Sequence, residues 1–226
     1  MAEPPRGWPR TAIQTIGEVC ITVGVVFLLF AVYELWWTNQ VAVQATEAAR
    51  LEAQAVVHSK NPPSWDGGQP PLHTPFALLY IPRLRDHVWG LPIIQGVTRD
   101  DLARGVGHYP RTALPGQVGN FAIAGHRATH GEPFANFDQL RDQDKVYIST
   151  QAGWYVYELR RDMIFSPTET WAIDPQPFPA NPLPSQQLIT LTTCNPRWAS
   201  TSRWAFWGVL VASQPRASGP PPGIAG

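Results

Sequence analysis

The chain has 226 residues, with 17 basic and 17 acidic side chains and a formal net charge of zero. That length fits one medium domain plus accessory segments, and nothing in the charge balance points to nucleic acid. The 24 prolines gather at both termini and in one internal stretch, which marks tails and a linker.

Residues 1–10 are proline-rich and carry Arg6 and Arg10, and they read as a disordered cytoplasmic tail. Residues 11–37 are apolar, with an uncharged core from Val19 to Tyr33 flanked by Glu18 and Glu34. About 20 residues cross a bilayer, so one transmembrane helix is expected here. No Lys or Arg follows it until Arg50. The positive-inside rule then places the N-terminus in the cytoplasm and the remainder outside the cell membrane. A cleavable signal peptide shares this charge and hydropathy pattern. No small-x-small site follows the apolar core, however, and Leu35-Trp36-Trp37 reads as an interfacial anchor. A buried core helix is the other alternative, and nothing nearby in the sequence offers to cover it.

Residues 38–75 form the next segment. Thr38 to Lys60 lacks Gly and Pro and is rich in Ala, Glu, Gln and Val, as in a helix continuing outward. Asn61 to Pro75 is rich in Pro and Gly and reads as a semi-rigid linker and domain boundary.

The folded domain is expected over residues 76–213. FALLYIPRL and HVWGLPIIQGV read as strands, and Thr98 with Asp100 and Asp101 reads as the capped start of a short helix. Gly105 to Gly119, with His108, Tyr109 and Pro110, reads as irregular. NFAIAG is a strand ending at His126, and a loop with a short helix follows to Leu140. KVYIST and GWYVYELRRDMIF are strands, and Thr168 to Ser185 is a proline-rich loop carrying Trp171. Residues 214–226 return to Pro, Gly and Ser and read as a disordered tail. Many short strands with few helices indicate an all-β barrel or sandwich, and pattern alone does not distinguish the two.

Of the two cysteines, Cys20 falls in the apolar segment and Cys194 ends the run Leu188 to Thr193. Asn195-Pro196 breaks that strand, a polar loop follows, and Arg203 precedes a second run, Trp204 to Val211. A hairpin of these two strands puts a thiol and a guanidinium at the same sheet end, a setting that favours thiolate. A proton carrier is then needed, and His126, at the end of another apolar strand, is the best candidate. The bland alternatives are an inert buried cysteine, a structural histidine and a solvated loop arginine. His130 is a rival to His126, but it sits in a loop. No CxxC or HExxH appears, no metal or cofactor site is expected, and the loop acids Asp138, Asp142 and Asp144 read as solvated rather than calcium-binding.

The segments AGHR (124–127), TLTTCNPR (190–197) and SRWAFWGVL (202–210) resemble the sortases, most of all the class E sortases of high-GC Gram-positive bacteria. The resemblance implies a closed all-β barrel of about eight strands with short helices, preceded by one transmembrane helix. It implies a cysteine transpeptidase in which Cys194 is the nucleophile, His126 the acid and base, and Arg203 the stabiliser of the substrate carbonyl. Thr193, beside the nucleophile, is expected to contact substrate. Tyr109 is expected to line the substrate groove and to favour Ala over Pro in the recognised motif. The implied partners are secreted proteins bearing a C-terminal LAXTG or LPXTG signal, and an amine of peptidoglycan as acceptor. The pilin-polymerising sortases are the alternative within the family, but neither a second apolar span nor a lid motif is seen. A non-catalytic anchored barrel is the alternative outside it. A cysteine L,D-transpeptidase would carry an SHGC-type motif, which Thr192-Thr193-Cys194 lacks.

Overall fold

A computed structural model describes residues 8–61, 65, 68–128, 131–178, 180, 183 and 185–224. Most of the expected cytoplasmic tail, parts of the linker and the rival His130 lie outside the described residues. The chain divides into two units, one up to Val41 and one from Ala42 onward.

Helix α1 runs from Trp8 to Val57. In the first unit it contains the 23-residue stretch Ala12–Glu34, long and apolar enough to cross a membrane and without buried side chains. In the second unit its last turns present Ala42, Ala49, Ala53 and Val57 as one buried stripe. The 7-4-4 spacing keeps these residues on one helical face, and three alanines let the backbone approach closely. Ala53 and Val57 pack on Leu78, with Tyr80 alongside. Arg104 adds a pair to Glu52 at 3.1 Å. From Ala42 onward, the helix expected to continue outward is therefore docked onto the barrel wall.

Eight strands close into the barrel order β1-β2-β3-β4-β7-β8-β6-β5. They are β1 (Pro75–Tyr80), β2 (Trp89–Gln95), β3 (Val106–His108), β4 (Gly119–Ala124), β5 (Lys145–Ser149), β6 (Gly153–Phe165), β7 (Gln187–Asn195) and β8 (Ser202–Pro215). The sheet is mixed: β2–β3 and β4–β7 pair in parallel. Alternation along the strands sorts the side chains. Phe121 and Ile123, Ile189 and Leu191, and Phe206 face the interior core. Leu188, Ala205, Trp207 and Val209 face outward beneath the loop of Trp171 and Phe178. Trp171 stacks on Trp207 with centroids 5.7 Å apart. That loop covers β7 as far as Thr190, whose hydroxyl bonds Asn120 Oδ1 at 2.7 Å.

Helix α2 (Arg99–Leu102) forms where expected, with a capping box between Thr98 and Asp101. Burial works to raise the Asp101 carboxyl, but hydrogen bonds from Thr98 and His73 outweigh it and hold the group below its usual range. Three sequence expectations differ from the structure. Strand β3 occupies part of the stretch read as irregular, and it forms because β2 and β4 supply partners on either side. The linker end is fixed to the barrel: Gln69 Nε2 donates to Thr112 O at 2.8 Å, and Trp65 packs edge-on to Phe76. The expected tail also folds back. Arg216 Nε donates to Thr150 O at 2.9 Å, its guanidinium lies over Trp154, and Pro221 is buried.

Candidate active site

Three adjoining strands end at one rim. Ala124 of β4 lies beside Thr192 of β7, and the Gly125 amide continues that ladder by donating to Thr192 O at 3.1 Å. On the other side, Cys194 of β7 stands directly opposite Arg203 of β8. Side chains alternate with a period of two, so Cys194 shares the outward face of Thr190 and Thr192, and Arg203 that of Ala205 and Trp207. His126 lies two residues past Ala124, the last residue of β4, and is half-buried. Cys194, His126 and Arg203 are thus brought to one end of three neighbouring strands. Cys194 is partly exposed and free of any disulfide, as is Cys20 in α1.

Gly125 has a steric reason. A Cβ there would come within 2.6 Å of the Phe134 ring, which is fully buried in the core. Glycine lets Phe134 seal the barrel end directly under the histidine position. The Arg203 guanidinium is held by its own loop: Nη1 donates to Ser200 O at 3.2 Å and to Ser202 O at 3.1 Å. Nε and Nη2 keep three N–H donors that these contacts do not use. The loops after His126 and after Cys194 are joined by an ion pair between Glu132 and Arg197. Trp198, beneath the Arg197 guanidinium, is 77% exposed.

Tyr109 follows β3 and reaches the same outer face. Its hydroxyl shares a hydrogen bond with Thr192 Oγ1 at 3.2 Å, two residues before Cys194. Thr193 does not reach that face. It is buried on the inner side, where Oγ1 donates to Gly125 O at 2.8 Å. Strand alternation carries its side chain away from the groove expected for it, and its hydroxyl instead ties β7 to the end of β4.

His108 is enclosed and belongs to a different network. Its ring lies 2.6 Å from Gln95 Oε1 and 2.9 Å from the Thr112 hydroxyl. Burial pushes its pKa down to about 4, so it is neutral at physiological pH and a structural histidine. Asp138 and Asp144, considered as calcium ligands, are taken up by Arg127 and Arg83. Among the described residues, no group of three or more His, Cys, Asp or Glu side chains is placed to hold a metal ion.

The sequence reading left out Arg127, Asn195 and Trp204, each one step past a candidate residue. Arg127 Nη1 donates to Asn195 Oδ1 at 2.8 Å and Nη2 to Asp138 at 3.1 Å, while Cζ lies 5.1 Å from the Trp204 ring centroid. The available signal was a lone arginine directly after an apolar strand, a charge that burial obliges to find partners.

A thiol, an imidazole and a guanidinium on adjoining strand ends are the group types that thiol-dependent acyl transfer uses. A sortase-domain model matches residues 79–211. Sortase SrtE1 of Streptomyces coelicolor is 40% identical over 220 residues, covering 93% of this chain, and the chain spans 60% of the length of that relative. The solved sortase E from Streptomyces avermitilis is 37% identical with a TM-score of 0.62, covering 69% of this chain and 99% of that one. Sortase E1 from Streptomyces coelicolor, solved with a tripeptide in the active site, is 37% identical with a TM-score of 0.61, covering 66% of this chain and 96% of that one. The chain belongs to the sortase family, whose members are cysteine transpeptidases.

Proposed function

We propose that this chain is a membrane-anchored transpeptidase that cuts a C-terminal LAXTG- or LPXTG-type sorting signal between Thr and Gly and joins the protein to a peptidoglycan amine. The observation that carries this is the convergence of Cys194, His126 and Arg203 at one end of three neighbouring strands, with Cys194 and Arg203 in direct register. The Cys194 thiolate attacks the Thr carbonyl carbon, and Arg203 N–H donors stabilise the oxyanion. The C–N bond to Gly breaks as the His126 imidazolium gives its proton to the leaving amine. The thioacyl carbon is then attacked by the acceptor amine. His126 takes the proton from that amine, and the C–S bond breaks to return the thiolate. Tyr109, beside Thr192 on the same face, lines the groove for the residue that distinguishes LAXTG from LPXTG. The tripeptide in the active site of sortase E1 from Streptomyces coelicolor makes a peptide the ligand class expected here.

The apolar stretch Ala12–Glu34 supplies the anchor. The basic residues on its N-terminal side, Arg6 and Arg10, assign the N-terminus to the cytoplasm and the barrel to the exterior. There the barrel meets both secreted proteins and wall precursors.

The test is turnover by the full chain in detergent micelles with LAXTG and LPXTG peptides and an amine acceptor, read by mass spectrometry beside Cys194→Ala. Cleavage after Thr and transfer to the amine, both absent in the variant, is the expected result. No turnover of either peptide by folded protein would overturn the assignment.

A further inference from the structure

We infer that Arg127 is a positioning residue, which fixes the spacing of Cys194, His126 and Arg203 from the inner face of the barrel. The inference rests on the transpeptidase assignment above. The residues following those three form one cluster, with Arg127 buried and Asn195 and Trp204 half-buried. Arg127 follows His126, Asn195 follows Cys194, and Trp204 follows Arg203. Alternation puts these successors on the inner side whenever the site residues face outward. Thr193 and Phe206, their neighbours on that side, are buried.

The guanidinium joins all three strands at once. It donates to Asn195 Oδ1 at 2.8 Å on the β7 side and lies 5.1 Å from the Trp204 ring centroid on the β8 side. Asn195 passes the connection on, since its Nδ2 lies 3.1 Å from Ser202 Oγ, and that hydroxyl donates to Asn195 O at 2.9 Å. Trp204 is held in turn by Asp162, 2.8 Å from its Nε1, and by the edge of Phe137. Arg127 is 7% exposed, and its carboxylate partner, Asp138, is on the surface. Asp138 holds the guanidinium from the solvent side, and Asn195 and the Trp204 face hold it from the β7 and β8 sides. A planar fork can bond two groups and stack on a ring in one geometry, which a lysine ammonium cannot do.

The residue acts through the backbone. A shift in its contacts moves the ends of β4, β7 and β8 relative to one another, and with them the reacting atoms on the far side. Misplacement on the scale of 1 Å costs catalysis far more than binding.

The test compares the full-length wild type with Arg127→Lys, Arg127→Gln and Asn195→Ala in detergent micelles. Melting temperature, kcat and KM are measured on the sorting-signal peptides, with Cys194 alkylation followed against pH. Arg127→Lys is expected to keep most of the melting temperature while kcat falls roughly 10- to 100-fold and KM moves less than about threefold. The pH profile of Cys194 alkylation is expected to shift with it. Combining Arg127→Lys with Asn195→Ala is expected to lose no more than the worse single variant. If kcat follows melting temperature across the set, or if the two losses multiply, the positioning role is wrong and Arg127 is a packing residue. Should Arg127→Gln fail to fold, Arg127→Lys and Asn195→Ala still decide the question. A wild type that turns over neither peptide would overturn the transpeptidase assignment, and this inference with it.

Discussion

Cys194 and Arg203 face each other across β7 and β8, so one antiparallel pair sets the thiol against the guanidinium. Directly opposed residues in such a ladder have Cβ atoms about 4.5–5.5 Å apart. Strand pairing thus sets the two side chains side by side, and the carbonyls of Ser200 and Ser202 hold the guanidinium.

Removing the guanidinium tests what that opposition is for. Arg203→Ala is expected to lower kcat/KM roughly 100- to 1000-fold, as loss of an oxyanion donor does elsewhere. Arg203→Lys should recover little, because a point charge does not replace three spare N–H groups in fixed directions. Steady-state kinetics of the full chain on both peptides checks this. Full recovery by lysine would reduce the role to charge alone.

Thr193→Val removes the hydroxyl that donates to Gly125 O inside the barrel. The expected cost is about 1–2 kcal/mol of stability, visible as a lower melting temperature. Peptide KM should not change, because the side chain lies on the face away from Cys194. A raised KM at unchanged melting temperature would return Thr193 to the groove.

Tyr109→Phe deletes the hydroxyl that meets Thr192. The preference for LAXTG over LPXTG, as a ratio of kcat/KM values, is expected to fall roughly three- to tenfold, the scale of one hydrogen bond. Competition between the two peptides in one tube, read by mass spectrometry, measures the ratio directly. An unchanged ratio would remove Tyr109 from substrate choice.

His108 makes stability depend on pH. Its folded pKa of about 4 lies below the ordinary 6.5, so the unfolded chain binds more protons between those values. Stability from this group is complete above about 6.5 and is lost progressively as pH falls towards about 4, to a limit of about 3 kcal/mol. Melting temperature against pH should show this slope in the wild type and a flatter one in His108→Gln. Equal slopes would mean that another group carries the acid sensitivity.

The hairpin that opposes Cys194 to Arg203 was legible in the sequence because its parts are local. TLTTC, a breaking Asn195-Pro196, and Arg203 at the next strand start amount to a hairpin, and a hairpin's ends are fixed by its turn. The rest depended on distant partners. Val106–His108 is three residues between glycine-rich stretches and becomes a strand only in the presence of β2 and β4. Residues 214–224 have the composition of a tail, yet Arg216 finds Thr150 and Trp154 on the β5–β6 hairpin beside β8. Arg127 sits inside the very AGHR segment that identified His126, but its partners lie 68 and 11 residues away in the chain. Composition carries no information about such distances. Thr193 was placed in the groove because it adjoins the nucleophile, whereas the pleat sends adjoining residues to opposite faces.

The interior of this barrel is filled by Phe121, Ile123, Leu191, Phe206 and their neighbours, and Cys194 and Arg203 lie on its outer face. Nothing has to be threaded through an opening to reach them. On the proposed function, a flexible tail laid against the wall is cut while the rest of its protein stays folded. Cargo of very different bulk is then handled alike, and selection falls on the few residues that touch the wall.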